Sequence, residues 1–208
     1  MTPETILHIA RSDYAMMITE VGDNQGFKAY HSGSRTFTAA MKEMGWKEGE
    51  GWCNYWANSV WWRAFAPSFP DELLPILRRA LDDFLQEKDS VGLWEKKPYL
   101  MPLRALGMRG ITLQEIMILS NNDKRRYAMR GSLVMFSCAT NDDNERGTED
   151  HIGIIESTTE SGIVCIEGNA GDALRMTFRE WNPEIIRGWI FPVTEYYPVW
   201  NKYVLPTT

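Results

Sequence analysis

One cysteine, one histidine and a carboxylate–amide pair in this chain have the types and spacing for nucleophilic acyl chemistry. The cysteine is Cys53, within Glu50-Gly51-Trp52-Cys53-Asn54-Tyr55-Trp56-Ala57-Asn58. Gly51 breaks the chain and an apolar run follows, so Cys53 is read onto the first turn of a helix over Cys53–Phe65. Unpaired N–H groups and the helix dipole favour a thiolate at such a place. The histidine is His151, directly before the strand-like run Ile152-Gly153-Ile154-Ile155. A second run, Ile163–Glu167, follows after Ser157-Thr158-Thr159-Glu160-Ser161-Gly162, which is a hairpin signal. Pairing centred near Thr159 sets position 151 opposite Glu167, and a shift of register sets it opposite Asn169. Alternation places Glu167 and Asn169 on the face of Cys165, where opposed or diagonal side chains can meet. A thiol, a base and a group that orients the base make a cysteine triad. The plainer reading of each part is an inert packed cysteine and a cross-strand polar pair.

Other segments must bring these residues together. Residues 3–18 read as a helix whose core face carries Ile6, Ile9 and Met17. A second helix spans Thr36–Met44, and Glu48-Gly49-Glu50-Gly51 then delivers the chain to Cys53. Pro67 and Pro70 close the cysteine helix. Asp71 is read as the cap of an amphipathic helix bearing Leu73, Leu74, Leu77, Ala80, Leu81, Phe84 and Leu85. Residues 89–111 read as irregular, a short helix runs to about Leu119, and Asn121-Asn122-Asp123 ends it. From Gly131 the texture changes to strands: Leu133–Cys138, then a polar loop at 141–149, the hairpin, Ala173–Phe178 and Arg187–Phe191. The aromatic tail after Pro192 is expected to pack down. Helices followed by strands indicate an α+β fold, with residues 66–130 inserted between the two halves of one domain over 1–208.

The totals narrow the function classes. A chain of 208 residues with 44% hydrophobic and 24% charged residues fits an ordered globular protein. A net charge of −6 argues against nucleic acid, and Lys124-Arg125-Arg126 reads as a solvated face. No apolar run reaches the roughly 20 residues a membrane helix needs, so no membrane insertion is expected. Met1-Thr2-Pro3-Glu4 does not read as a secretory leader. The expectation is synthesis in the cytoplasm, with release or delivery to any outer target. Three cysteines, Cys53, Cys138 and Cys165, make no disulfide framework. A zinc site from Cys53, His151 and Cys165 has no short ligand spacing behind it, so no metal or cofactor is expected. Of nine Trp, four (Trp52, Trp56, Trp61, Trp62) crowd around Cys53. They are read either as core or as a groove wall for sugar or peptide.

Four motifs in order resemble those of the CHAP and NlpC-type papain-fold cysteine hydrolases, many of which cleave peptidoglycan and several of which are phage endolysins. They are Gly51-Trp52-Cys53, Gly131-Ser132-Leu133-Val134-Met135-Phe136, Asp150-His151-Ile152-Gly153-Ile154-Ile155-Glu156 and Ile166-Glu167-Gly168-Asn169. The last of these, Gly188-Trp189-Ile190-Phe191-Pro192 and Glu20-Val21-Gly22-Asp23-Asn24-Gln25-Gly26 resemble phage-type members. The similarity covers about residues 3–65 and 131–192. It implies a papain-like fold in which the nucleophile helix packs on a small antiparallel sheet, with the 66–130 segment a mainly helical insertion. It also implies Cys53 as nucleophile, His151 as general base, and Glu167 or Asn169 as the orienting group, with a carboxylate the better partner for an imidazolium. Trp52, Trp56, Glu20 and Asn24 fall on the substrate side, Glu20 and Asn24 also being placed to order the loop beside the cysteine helix.

This chain departs from the pattern in places. Many relatives have a small residue after the cysteine, whereas Asn54 and Tyr55 are polar and bulky. Ser132 stands where an acidic residue is usual, and the insertion is long. One oxyanion donor is the Cys53 backbone N–H; the second is not identified by sequence. A glycosidase built on Glu20 would need a second placed carboxylate, and none is evident. The expected activity is a monomeric amidase or endopeptidase acting on peptidoglycan through a thioester. The alternatives are a non-catalytic wall-binding or virion-associated module, and a papain-fold transferase or deamidase acting on protein.

Overall fold

The computed structural model describes residues 3–22, 25–29, 33–86, 98–105, 108, 110–137, 150–182 and 184–190. In chain order its elements are α1 (Pro3–Ala15), β1 (Ile18–Glu20), β2 (Phe27–Ala29), α2 (Ser34–Glu43), α3 (Cys53–Phe65) and α4 (Leu74–Gln86). Then follow α5 (Met101–Ala105), β3 (Gly110–Thr112), α6 (Leu113–Ile118), α7 (Asn121–Tyr127), β4 (Leu133–Ser137), β5 (Asp150–Thr158), β6 (Gly162–Glu167), β7 (Arg175–Glu180) and β8 (Ile186–Ile190). The class is mixed α and β. A six-stranded sheet has the order β3-β8-β4-β5-β6-β7, and β1 and β2 form a separate hairpin. Every pair in the larger sheet is antiparallel. No helix among the described residues is long and apolar enough to cross a membrane.

At β4 the sheet is covered on both faces, which is why that strand reads as a continuous apolar run and not an alternating one. Leu133, Met135, Ile152, Ile154, Ile166 and Ile190 join the core built with α1, α3 and α4. Val134, Phe136, Ile155, Ile163, Cys165, Ile186 and Trp189 form a second cluster with Ile116 of α6 and Ala128. The segment 66–130 is part of this architecture. Its β3 forms one edge of the sheet, and its Leu77, Ala80 and Leu81 enter the main core.

Helix α3 is the hub. Residues 56–61 of α3 are all buried, so it is apolar on nearly every side, as a central helix must be. Its tryptophans solve the problem of burying an indole N–H by pointing each one at a different element. Trp56 Nε1 donates to Asp13 of α1 at 3.0 Å, and Trp61 Nε1 to the Gly131 carbonyl before β4 at 2.9 Å. Trp62 Nε1 donates to Glu43 of α2 at 2.8 Å, and Trp52 Nε1, just ahead of the helix, to Glu20 of β1 at 3.1 Å. Asp13 is itself 1% exposed and forms an ion pair with Arg63 of α3.

Several expectations are corrected. Met17 is 56% exposed, at positive φ just past α1; Ile6 lies in the core as expected, Ile9 packs against it partly buried, and Leu7 and Ala10 complete the face. Asp71 opens a single 3-10 turn, and α4 begins at Leu74. Asn121–Asp123 starts α7, capped by the Ser120 side chain, where a helix end was expected. Lys124, read as solvated, is buried. The polar loop at 141–149 and the tail after Pro192 lie outside the described residues.

Replacing Asp13 by alanine removes the acceptor of both Trp56 and Arg63. Urea unfolding is expected to show a loss of about 3 kcal/mol, the scale for breaking one partner out of a buried ion pair. A loss under about 0.5 kcal/mol, the size of an ordinary surface change, would contradict the hub role of α3.

Candidate active site

Cys53 is the first residue of α3, reached through the buried Trp52. The helix can approach the end of β6 this closely because residue 168 is glycine. A Cβ there would lie 3.0 Å from Trp52 Cζ3 and 3.2 Å from Trp56 Cβ. Cys53 is half-buried, and its Sγ donates to Asn54 Oδ1 at 3.5 Å. The Cys53 side chain is near enough to the His151 imidazole to help raise its pKa.

His151 is the second residue of the long strand β5, across from Phe136 of β4, whose ring stacks on the imidazole with centroids 6.2 Å apart and planes at 29°. Its Nε2 lies 2.9 Å from Glu167 Oε2. A carboxylate only accepts, so Nε2 carries a proton and Nδ1 is the nitrogen left for the sulfur. The observed register sets Gly153 directly opposite Glu167, so His151 and Glu167 meet on the diagonal. Gly153 is the clearance for that contact, since a Cβ there would sit 2.8 Å from Glu167 Cγ and 3.3 Å from the Phe136 ring.

Glu167 is 0% exposed, a position a carboxylate holds only when its lone pairs are used. Arg179 of β7 forks across it, Nε on Oε1 at 3.0 Å and Nη2 on Oε2 at 2.6 Å. The Thr177 hydroxyl donates to Oε1 as well. Both residues reach it because β7 pairs with β6, setting Arg175, Thr177 and Arg179 opposite Glu167, Cys165 and Ile163. Burial by itself would push this carboxyl up. The bonds from His151, Arg179 and Thr177 outweigh it and hold the group at about 2, ionised at neutral pH. For His151, burial pulls the imidazole down. The nearby Cys53 side chain and the hydrogen bond to Glu167, with the charges of both, prevail and raise it to about 9. The arrangement can therefore hold a protonated imidazole against a sulfur nucleophile, with an ionised carboxylate fixing the ring.

Of the residues singled out by sequence, the structure brings Cys53, His151 and Glu167 together. Asn169 does not meet the imidazole. It leaves the strand at φ 56°, a left-handed position asparagine tolerates, and its Nδ2 stands 3.7 Å from where a Cβ of Gly51 would be. Trp52 and Trp56 are each 0% exposed and offer no wall to a ligand; they are core residues whose N–H groups pin α3. Glu20 holds Trp52, next to Cys53, and Asn24 lies outside the described residues. Cys165 is sealed in the second cluster, where burial raises its thiol well above the ordinary range. No group of three or more His, Cys, Asp or Glu among the described residues is arranged to hold a metal ion. Sequence reasoning missed Thr177 and Arg179. The signal was the alternation Arg175-Met176-Thr177-Phe178-Arg179, which puts two cations and a hydroxyl on one strand face beside a strand ending in Glu167. Compared with protein-family models, with curated proteins and with solved structures, the chain matches none.

The chain has three histidines, so His151 can be followed by NMR once His151→Asn has assigned it. The wild-type ring is expected to titrate near 9. Glu167→Gln removes the charge that favours the protonated ring, and Gly153→Ala pushes the carboxylate aside, so both should lower that value. An unchanged titration in both variants would remove Glu167 from the site. The carboxyl also gives a stability test. Its folded value is depressed from 4.5 to about 2, so its stabilisation is present above about 4.5 and lost as pH falls through about 2. The thermal midpoint of the wild type should fall across that window more steeply than that of Glu167→Gln.

Proposed function

We propose that this chain is a cysteine hydrolase of papain-like fold, of the CHAP and NlpC type, that cleaves amide bonds of bacterial peptidoglycan as an amidase or endopeptidase. The observation that carries the reading is the His151 imidazole, bonded at 2.9 Å to the buried Glu167 and set near enough to Cys53 for that side chain to raise its pKa. The four ordered sequence motifs supply the substrate class.

The chemistry follows from the groups present. The Cys53 sulfur attacks the amide carbonyl carbon, a C–S bond forms, and the carbonyl π pair moves to oxygen. As that pair returns, the C–N bond breaks and the leaving nitrogen takes the proton from His151 Nδ1. A thioester remains. Neutral His151 then takes a proton from water, the resulting hydroxide attacks the thioester, and the acid is released with the sulfur restored. Glu167 stays ionised throughout. It fixes the ring with Nδ1 toward the sulfur and favours the imidazolium that donates the proton. The non-catalytic alternative leaned on a Trp-rich groove, and the burial of Trp52, Trp56 and Trp61 leaves it only the partly buried Trp62.

Purified cell walls provide the test. The wild type is expected to clear a wall suspension. Cys53→Ala and His151→Ala should lose clearance by roughly 10³-fold or more while still sedimenting with walls. Mass spectrometry of released fragments would separate amidase from endopeptidase. Wall binding without clearance by the wild type, or clearance surviving in Cys53→Ala, would overturn the reading.

A further inference from the structure

The residue after Cys53 touches the sulfur on which the proposed reaction turns. Asn54 is the second residue of α3 and is half-buried, and its Oδ1 accepts from Cys53 Sγ at 3.5 Å. Among the described residues the Asn54 side chain makes no other hydrogen bond. The contact as it stands suits a protonated thiol, with S–H donating to the carbonyl oxygen. Once that proton sits on His151, the sulfur can only accept. The same contact is then favourable with the carboxamide turned over, so that Nδ2–H faces the sulfur. An amide suits both states, and a carboxylate opposes the second.

We propose that Asn54 is a catalytic residue, whose Nδ2–H donates to the oxyanion that forms when Cys53 attacks a carbonyl. This rests on the cysteine-hydrolase reading above and supplies the donor that sequence left unnamed. The geometry follows from bonding. The oxyanion is two bonds from the sulfur, so a group already in hydrogen-bond contact with Sγ is within reach of it. On its other side the oxyanion meets the start of α3. Trp52 provides no side-chain cap there, and the first N–H of the helix with an intrahelical acceptor is that of Trp56, on the Trp52 carbonyl. The Cys53 backbone N–H and the Asn54 carboxamide thus flank one position beside the sulfur. As the C–S bond forms and the π pair moves to oxygen, both donors strengthen. As the pair returns and the C–N bond breaks, both relax. Their contribution falls on the transition state, where donors of this kind count most.

The test separates this role from activation of the thiol. Acylation by p-nitrophenyl acetate passes through an oxyanion and needs no cell-wall specificity, whereas alkylation by iodoacetamide forms none. Both are followed by mass at the Cys53 peptide. Asn54→Ala is expected to slow acylation by about 10²–10³-fold and to leave alkylation close to wild type, which also reports an intact fold. Asn54→Asp is expected to slow both, because a carboxylate then faces the sulfur. Equal acylation by wild type and Asn54→Ala, or a parallel loss of both reactions in Asn54→Ala, would overturn the proposal and leave the cysteine-hydrolase reading standing. A wild type that is alkylated at Cys53 and never acylated would overturn both.

Discussion

A carboxylate removed from water is tolerable only if every strong lone pair finds a donor, and Glu167 meets that condition inside the sheet. Arg179 takes both oxygens, Thr177 takes one and His151 the other. Bonds to a charged group are worth roughly 1.5–3 kcal/mol each, so removing any of these three costs much more than a surface contact would. The consequence for the site is directional. The carboxylate cannot turn to another partner, so the imidazole it holds has one orientation and one nitrogen left over. Three adjacent strands are needed for this: β5 for the ring, β6 for the carboxylate, β7 for its cation and hydroxyl. The order β4-β5-β6-β7 is therefore a requirement of the chemistry as much as of the core.

The sulfur arrives from the other layer, and its placement depends on where α3 can sit. That helix is fixed by indole N–H groups reaching α1, α2, β1 and the entrance to β4. A helix anchored to four separate elements has little freedom to slide or rotate. Gly168 sets how closely its first turn approaches the sheet, and Gly153 sets how closely Glu167 approaches His151. Both are spaces that a side chain would fill, and their emptiness lets the groups of the site approach. The two halves of the site are thus positioned independently, one by hydrogen bonds within the sheet and one by packing around the helix.

Some of this was legible in the residues. The limits of α3 followed from Gly51 before it and Pro67 after it, because glycine and proline act on the backbone wherever they sit. That His151 and Glu167 share a face followed from hairpin arithmetic, but the direct opposition it gave did not hold: Gly153 stands opposite Glu167, and the ladder carries an irregularity between Ile155 and Ser157 that no local signal announced. Asn169 had equal standing by alternation, and lost it because the strand ends at Glu167 and the chain turns into a left-handed conformation. The role of the tryptophans was not legible. Spacing says that Trp52 and Trp56 lie near Cys53 but not which neighbour covers them, and that neighbour, α1 or β1, comes from far away in the chain. Strands of three residues such as β1 and β3 are below what periodicity can register. The charged α7 has no apolar stripe to give it away. Arg179 and Thr177 needed the register of β7 on β6, a second level of pairing that the sequence does not display.

The most direct test of the account is the rate at which iodoacetamide modifies Cys53 at neutral pH, compared between the wild type and His151→Asn. An imidazole in contact with the sulfur that takes up its proton makes the wild type react fast. The rate should then fall by roughly 10²-fold or more in the variant, the lower range for a positioned base. Equal rates in the two proteins would mean that sulfur and imidazole do not act as a pair, and the catalytic reading of this fold would fail.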